Sequence, residues 1–223
     1  MALHAGTAGD RSASISLKSL GKSYLELLRD RQVMGGSLAI GLVGIPCLGW
    51  VALSPVILIH DEHLSRMTYA LLQLPVFVAM IAGNLTLGKL SGRVPIEQPL
   101  KLAIWPILIG LAMAALACAL NAHSYYWLTA GLSLYGFGTG LVNAGLYRMT
   151  LFSSGGGKGS VAAMLGMVSI LTFTLGIELV KSAYFSGGSF WFSLVNLACG
   201  LVWFWLVKAF LRERARRLAA QPG

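Results

Sequence analysis

The sequence predicts an all-α integral membrane protein, a bundle of six transmembrane helices, and three observations lead there. Of its 223 residues 56% are hydrophobic and 11% charged, with a mean hydropathy of +0.72, more apolar surface than a water-soluble domain can hide. The apolar residues gather in six segments of about 20, the length that a helix rising ~1.5 Å per residue needs to cross a ~30 Å hydrocarbon layer. Within segments such as 106–120 almost every position is apolar, whereas the strands of a membrane barrel would alternate. Helices also satisfy their own backbone groups in lipid.

Residues 1–35 divide into a small-residue stretch, 1–14, and a stretch in which Leu17, Leu20, Tyr24, Leu27 and Leu28 recur at helical spacing. The second piece reads either as an amphipathic helix on the membrane surface, with Lys18, Lys22, Arg29 and Arg31 toward headgroups, or as a frayed tail. No apolar h-region precedes Gly36, so the first span is expected to act as the insertion signal. The spans are placed at 36–59, 67–90, 102–120, 126–151, 161–180 and 190–210. Pro46 and Pro55 in the first and Pro75 in the second each remove a ladder bond and predict bends. The fourth is the richest in glycine; Gly136 with Gly140, and Gly140 with Ala144, form small-xxx-small pairs that let another backbone come close. The intervening connections, 60–66, 91–101, 121–125, 152–160 and 181–189, are short, which places sequential helices side by side. None is large enough to hold an enzyme core. The organisation is therefore a cytoplasmic linker at 1–35, a transmembrane domain at 36–210 and a basic cytoplasmic tail at 211–223.

The formal charge of +9 is explained by topology. Fourteen Lys and Arg residues, from Arg11 to Arg31, from Lys89 to Lys101, Lys158, and from Lys208 to Arg217, fall on one side of the spans; only Arg66 and Lys181 fall on the other. Positive residues stay inside, so both termini are expected in the cytoplasm. Charge spread over loops and tails makes no basic groove with stacking aromatics, and a nucleic-acid partner is excluded. Cys47, Cys118 and Cys199 lie within spans without a close pair and read as packing residues.

The strings that could carry chemistry fail on spacing. His60-Asp61-Glu62-His63 places its histidines three apart in a short turn, where a helical zinc site needs four, and reads as a solvated loop. Gly157-Lys158 lacks the following Ser or Thr of a phosphate loop, and Phe152 stands where its first Gly should be; a flexible inner hinge is expected. Within the spans Arg148 lies near an inner end, close enough to snorkel, and Glu178 has Lys181 three residues on, the spacing of an interfacial helix pair. No carboxylate lies deep in any span, although a proton-driven exporter needs one in its central cavity. The polar groups left to meet a ligand are Tyr69, Gln73, Asn84, Tyr135 and Asn143, beside Trp50, Phe77 and Phe173; each is also readable as a packing residue. Neither a catalytic constellation nor a cofactor or metal site is expected.

Several strings together carry a resemblance. Gly49-Trp50-Val51-Ala52-Leu53-Ser54-Pro55, Gln73-Leu74-Pro75-Val76-Phe77, Asn143-Ala144-Gly145-Leu146-Tyr147-Arg148 and Phe173-Thr174-Leu175-Gly176-Ile177-Glu178 resemble spans seven to eleven of the MdfA-type multidrug/proton antiporters, and the likeness extends over everything from Gly36 onward. That family belongs to the major facilitator superfamily, whose two six-helix halves enclose the substrate cavity. The resemblance implies the C-terminal half, spans seven to twelve, with residues 1–35 similar to the linker between halves and Gly88-Lys89-Leu90-Ser91-Gly92-Arg93 similar to a worn inner-loop motif. It implies cavity-wall roles for Leu48, Val51, Tyr69, Gln73, Gly166 and Phe173, and a conformational-switching role for Arg148. It further implies lipophilic drugs as substrates, a complementary six-span half as partner, protons carried through that half, and the bacterial inner membrane as location. A fragment without transport, or a scaffold that self-associates through its Gly-rich span, is the alternative reading.

Overall fold

The computed structural model describes residues 17–120, 124–154 and 157–220. Residues 1–16, which include the 1–14 stretch, residues 121–123 of the 121–125 connection, Gly155 and Gly156 of the inner hinge and the last three residues of the tail lie outside the described residues. What is described is helical: α1 (Leu17–Arg29), α2 (Arg31–Pro55), α3 (Arg66–Leu90), α4 (Glu97–Ala119), α5 (Ser124–Leu151) and α6 (Lys158–Ala219). Past Pro55, whose ring blocks the regular ladder, α2 runs on as a π-helical segment, Val56–Asp61. The 62-residue α6 is two crossings, since Gly187 and Gly188 leave helical geometry and Gly188 takes φ +68°, a left-handed conformation open to glycine. Its first arm covers 158–186 and its second 189–219. Four helices, α2 with its π-helical extension, α3, α4 and α6, are long and apolar enough to cross a membrane. Glycine, hydroxyl and amide side chains leave α5, 28 residues long, outside that group; even so it lies at the centre of the bundle, packed against α2, α3 and α4. The chain is a multi-pass, all-α membrane protein, and the six expected spans map onto α2 to α5 and the two arms of α6.

Small residues set the helix spacing. A methyl group on Gly131 would sit 2.6 Å from the carbonyl oxygen of Gly110 and 2.8 Å from the amide nitrogen of Ala114, so α4 and α5 touch backbone to backbone, as small residues allow in lipid. Gly140 meets α3 in the same way at Met80 and Asn84. The glycine stripe of α5 is thus occupied within the molecule by α3 and α4, which corrects the idea of a scaffold self-associating through it. The first arm of α6 runs alongside α2, with Gly41 against Thr172, Ile45 against Gly176 and Gly49 against Val180, a constant offset of parallel helices. The second arm returns between α2 and α4, burying Phe192, Cys199, Trp203, Val207 and Phe210 at the three-to-four-residue spacing of one helix face.

The starts of α2 and α4 and the end of α6 lie on one side. The Arg217 guanidinium donates to Asp30, 2.8 Å away, and Arg214 to Glu97 at 3.0 Å, so the end of α6 clasps the starts of α2 and α4. The stretch after residue 16 is helix α1; Leu27 packs with Val33, Val161 and Met164, while Leu25 and Leu28 stay exposed. Helix also continues through the tail as far as Ala219.

Candidate functional site

Helical periodicity puts Gly44, Leu48 and Val51 on one stripe of α2, between the edge that meets α3 and the edge that meets the first arm of α6. Phe173, from that arm, lies against Gly44, so Phe173, Leu48 and Val51 share a face. On the other flank Gln73, with Tyr69 one turn before it on α3, reaches α2 at Trp50 and Ser54. Gly166, two turns before Phe173, faces open space, with nothing within 4 Å of where a side chain would begin. None of the six is buried: Val51 is 49% exposed and the rest are half-buried. They therefore line an open side of the bundle.

The polar candidates divide in two. Gln73 is fully engaged: its oxygen accepts from the Trp50 indole at 2.8 Å and its amide donates to Ser54 at 2.7 Å, which ties α3 to the outer part of α2. Tyr135 is buried, and its hydroxyl donates to the Val43 carbonyl while accepting from the Cys47 amide at 3.3 Å. A side chain thus enters the α2 ladder beside Pro46, where the proline has already removed one bond. Asn84, Asn143 and Arg148 are exposed. Asn84 donates to the Met80 carbonyl on its own helix, and Arg148 has no ion-pair partner among the described residues.

Arg148 opens onto a cavity of about 700 Å³ at the end of the molecule where Arg214 meets the start of α4. Asn84, Gly88, Gly92, Ala144, Phe152 and Arg214 are among its walls. None of Leu48, Val51, Tyr69, Gln73, Gly166 or Phe173 lines it, so the structure separates the switching candidate from the wall candidates. The worn inner-loop stretch, at Gly88, Ser91 and Gly92, borders this cavity, and Gly92 takes φ +83°.

At the opposite end, Lys181 pairs with Glu178 at 2.9 Å. Asp61 is exposed, as expected of a solvated stretch, and is also a tether: Tyr184 from the first arm of α6 donates to its carboxylate, and His60 lies 2.8 Å from the other oxygen. Past the apolar span, the Tyr184 bond and then the His60 bond hold the Asp61 carboxyl below its ordinary value. Sequence reasoning missed this link, since only the fold brings residues 61 and 184 together. It also missed Asn196, buried in the second arm with neither side-chain nitrogen nor oxygen hydrogen-bonded.

The bundle thus has an open, apolar and aromatic wall on one side and a basic cavity at one end. The chain is 49% identical over 208 residues to the multidrug transporter MdfA of Edwardsiella piscicida, covering 93% of this chain and 51% of that protein. It is 46% identical over 215 residues to that of Yersinia pestis bv. Antiqua (strain Angola), covering 96% and 53%. The chain is a relative of the MdfA multidrug transporters. The MdfA of Escherichia coli O6:H1 gives 46% identity over 208 residues, covering 93% of this chain and 51% of that protein. The chain spans about half the length of the curated relatives it matches, as a C-terminal half would. No family model matches.

Proposed function

We propose that this chain acts as the C-terminal six-span half of a multidrug/proton antiporter, one rigid body of a two-body major facilitator fold that exposes the cavity alternately to either side. Leu48, Val51, Tyr69, Gln73, Gly166 and Phe173 form its wall of the drug cavity, and lipophilic, weakly polar antibacterials of the chloramphenicol kind are the substrates. The observation that carries the reading is that Leu48, Val51 and Phe173 share one face of the bundle without being buried, with Gly166 two turns before Phe173 open to space. Arg148, unpaired at the cavity mouth, serves conformational switching by meeting the complementary half. Residues 1–35 join the two halves, the tail at 211–223 is cytoplasmic, and both termini face the cytoplasm of a bacterial inner membrane, where the positive residues belong.

Proton coupling comes from the complementary half. The acidic residue nearest a span interior, Glu178, has a side chain 65% exposed and paired with Lys181, so it does not act as a buried exchangeable acid. Co-expression tests the reading. Cells carrying this chain together with a matching first half should gain resistance to lipophilic drugs, and cells carrying either piece alone should not. Absence of resistance with both present would leave the fragment reading in its place.

A further inference from the structure

A second depression, of about 340 Å³, lies between the start of α2 and the end of the second arm of α6. Its rim carries Arg31, Arg212 and Arg216, with one acid, Glu213, so the lining has a net charge of three minus one, or +2. None of the three arginines has an ion-pair partner among the described residues, and Glu213 is already engaged by Arg217 at 3.4 Å. The floor is apolar: Gly35, where a side chain would point toward Phe210 3.8 Å away, and Leu206.

The arrangement is graded along the helix. Val202, Trp205, Ala209, Arg212 and Arg216 fall on one exposed stripe of the second arm, apolar above and basic below. Leu206 to Arg216 spans about 15 Å at ~1.5 Å per residue. A soluble anion would use the arginines and leave the apolar floor uncovered. A molecule with a phosphate at one end and methylenes at the other would use both. Guanidinium groups suit phosphate because they donate in a planar fork, and basic pockets between helices on the basic side of a membrane are where lipid headgroups dock.

We propose that this groove binds an anionic phospholipid, with Arg31, Arg212 and Arg216 around the headgroup phosphate and one acyl chain over Gly35, Leu206 and Phe210. The site lies apart from the drug wall and from the Arg148 cavity. It rests on the multi-pass fold and not on drug transport, so a chain inactive in efflux still tests it.

Native mass spectrometry of the full chain in mild detergent, with phosphatidylglycerol, phosphatidylethanolamine or inorganic phosphate added in parallel, is the experiment. Phosphatidylglycerol should stay bound to the unaltered chain and fall by about five-fold or more in the Arg31→Gln/Arg212→Gln/Arg216→Gln variant, the weight of at least one basic group. A control with Arg93→Gln, Lys101→Gln and Lys158→Gln should retain it. Gly35→Leu keeps every guanidinium and fills the floor, so it too should lose the lipid, which preserves the test if the triple variant does not fold. Equal retention of phosphatidylethanolamine, unchanged phosphatidylglycerol in both variants, or binding of inorganic phosphate without lipid would each overturn the assignment.

Discussion

Two sets of polar residues, both embedded in apolar helices, meet opposite fates. Near the outer end of α2, Trp50, Gln73 and Ser54 satisfy one another, and Tyr135 is committed to the α2 backbone. On the inner half of α5, Asn143 and Arg148 stand open. The difference lies in the neighbours: α3 and α2 supply partners to the first set, while Asn143 is exposed and Arg148 opens onto a cavity without an ion-pair partner among the described residues. In lipid, where packing and hydrogen bonds hold helices together, a satisfied polar group is architecture and an open one is available for function.

The contrast can be broken most sharply at the glycines. Gly131→Leu, placed where α4 and α5 touch, should cost about 3 kcal/mol or more and abolish the monodisperse peak in detergent size-exclusion chromatography. Gly166→Ala, facing open space, should leave that peak unchanged. Next in size, Gln73→Leu should lose about 2 kcal/mol by stranding the Trp50 indole and the Ser54 hydroxyl, read as a lower melting temperature in detergent; an unchanged value would place Gln73 with the open set.

Tyr184→Phe should lose about 1 kcal/mol or less, because Asp61 is exposed and water screens the bond. Its pH dependence follows from the sign of the shift. The folded carboxyl value lies below the unfolded one, so the stabilisation is complete above about pH 4 and fades as pH falls through the folded value. The melting-temperature gap between variant and parent should therefore close in acid. Smallest of all, Asn143→Ala should change stability by less than about 0.5 kcal/mol while altering drug resistance in cells that carry both halves.

Much of the fold was legible because most spans are long and predominantly apolar, and Gly136 and Gly140 marked the face that α3 approaches. Lys181 found Glu178 because the pair is local. The site was less legible. Tyr69, Gln73, Tyr135 and Asn143 looked alike in sequence, and only tertiary neighbours divide the tied from the open. The helix from 17 to 29 was one of two readings, since an amphipathic pattern does not reveal what it packs on. The Asp61–Tyr184 tether joins residues 123 apart in the chain, which no local pattern signals.

The claim on which the account rests is that this bundle supplies a wall and a moving body but not the proton site. Reconstitution of the purified 223-residue chain alone, with a pH gradient imposed and drug accumulation and proton flux followed together, addresses it directly. The account predicts no coupled exchange until the complementary half is added. Drug movement driven by the gradient in the chain alone would contradict it.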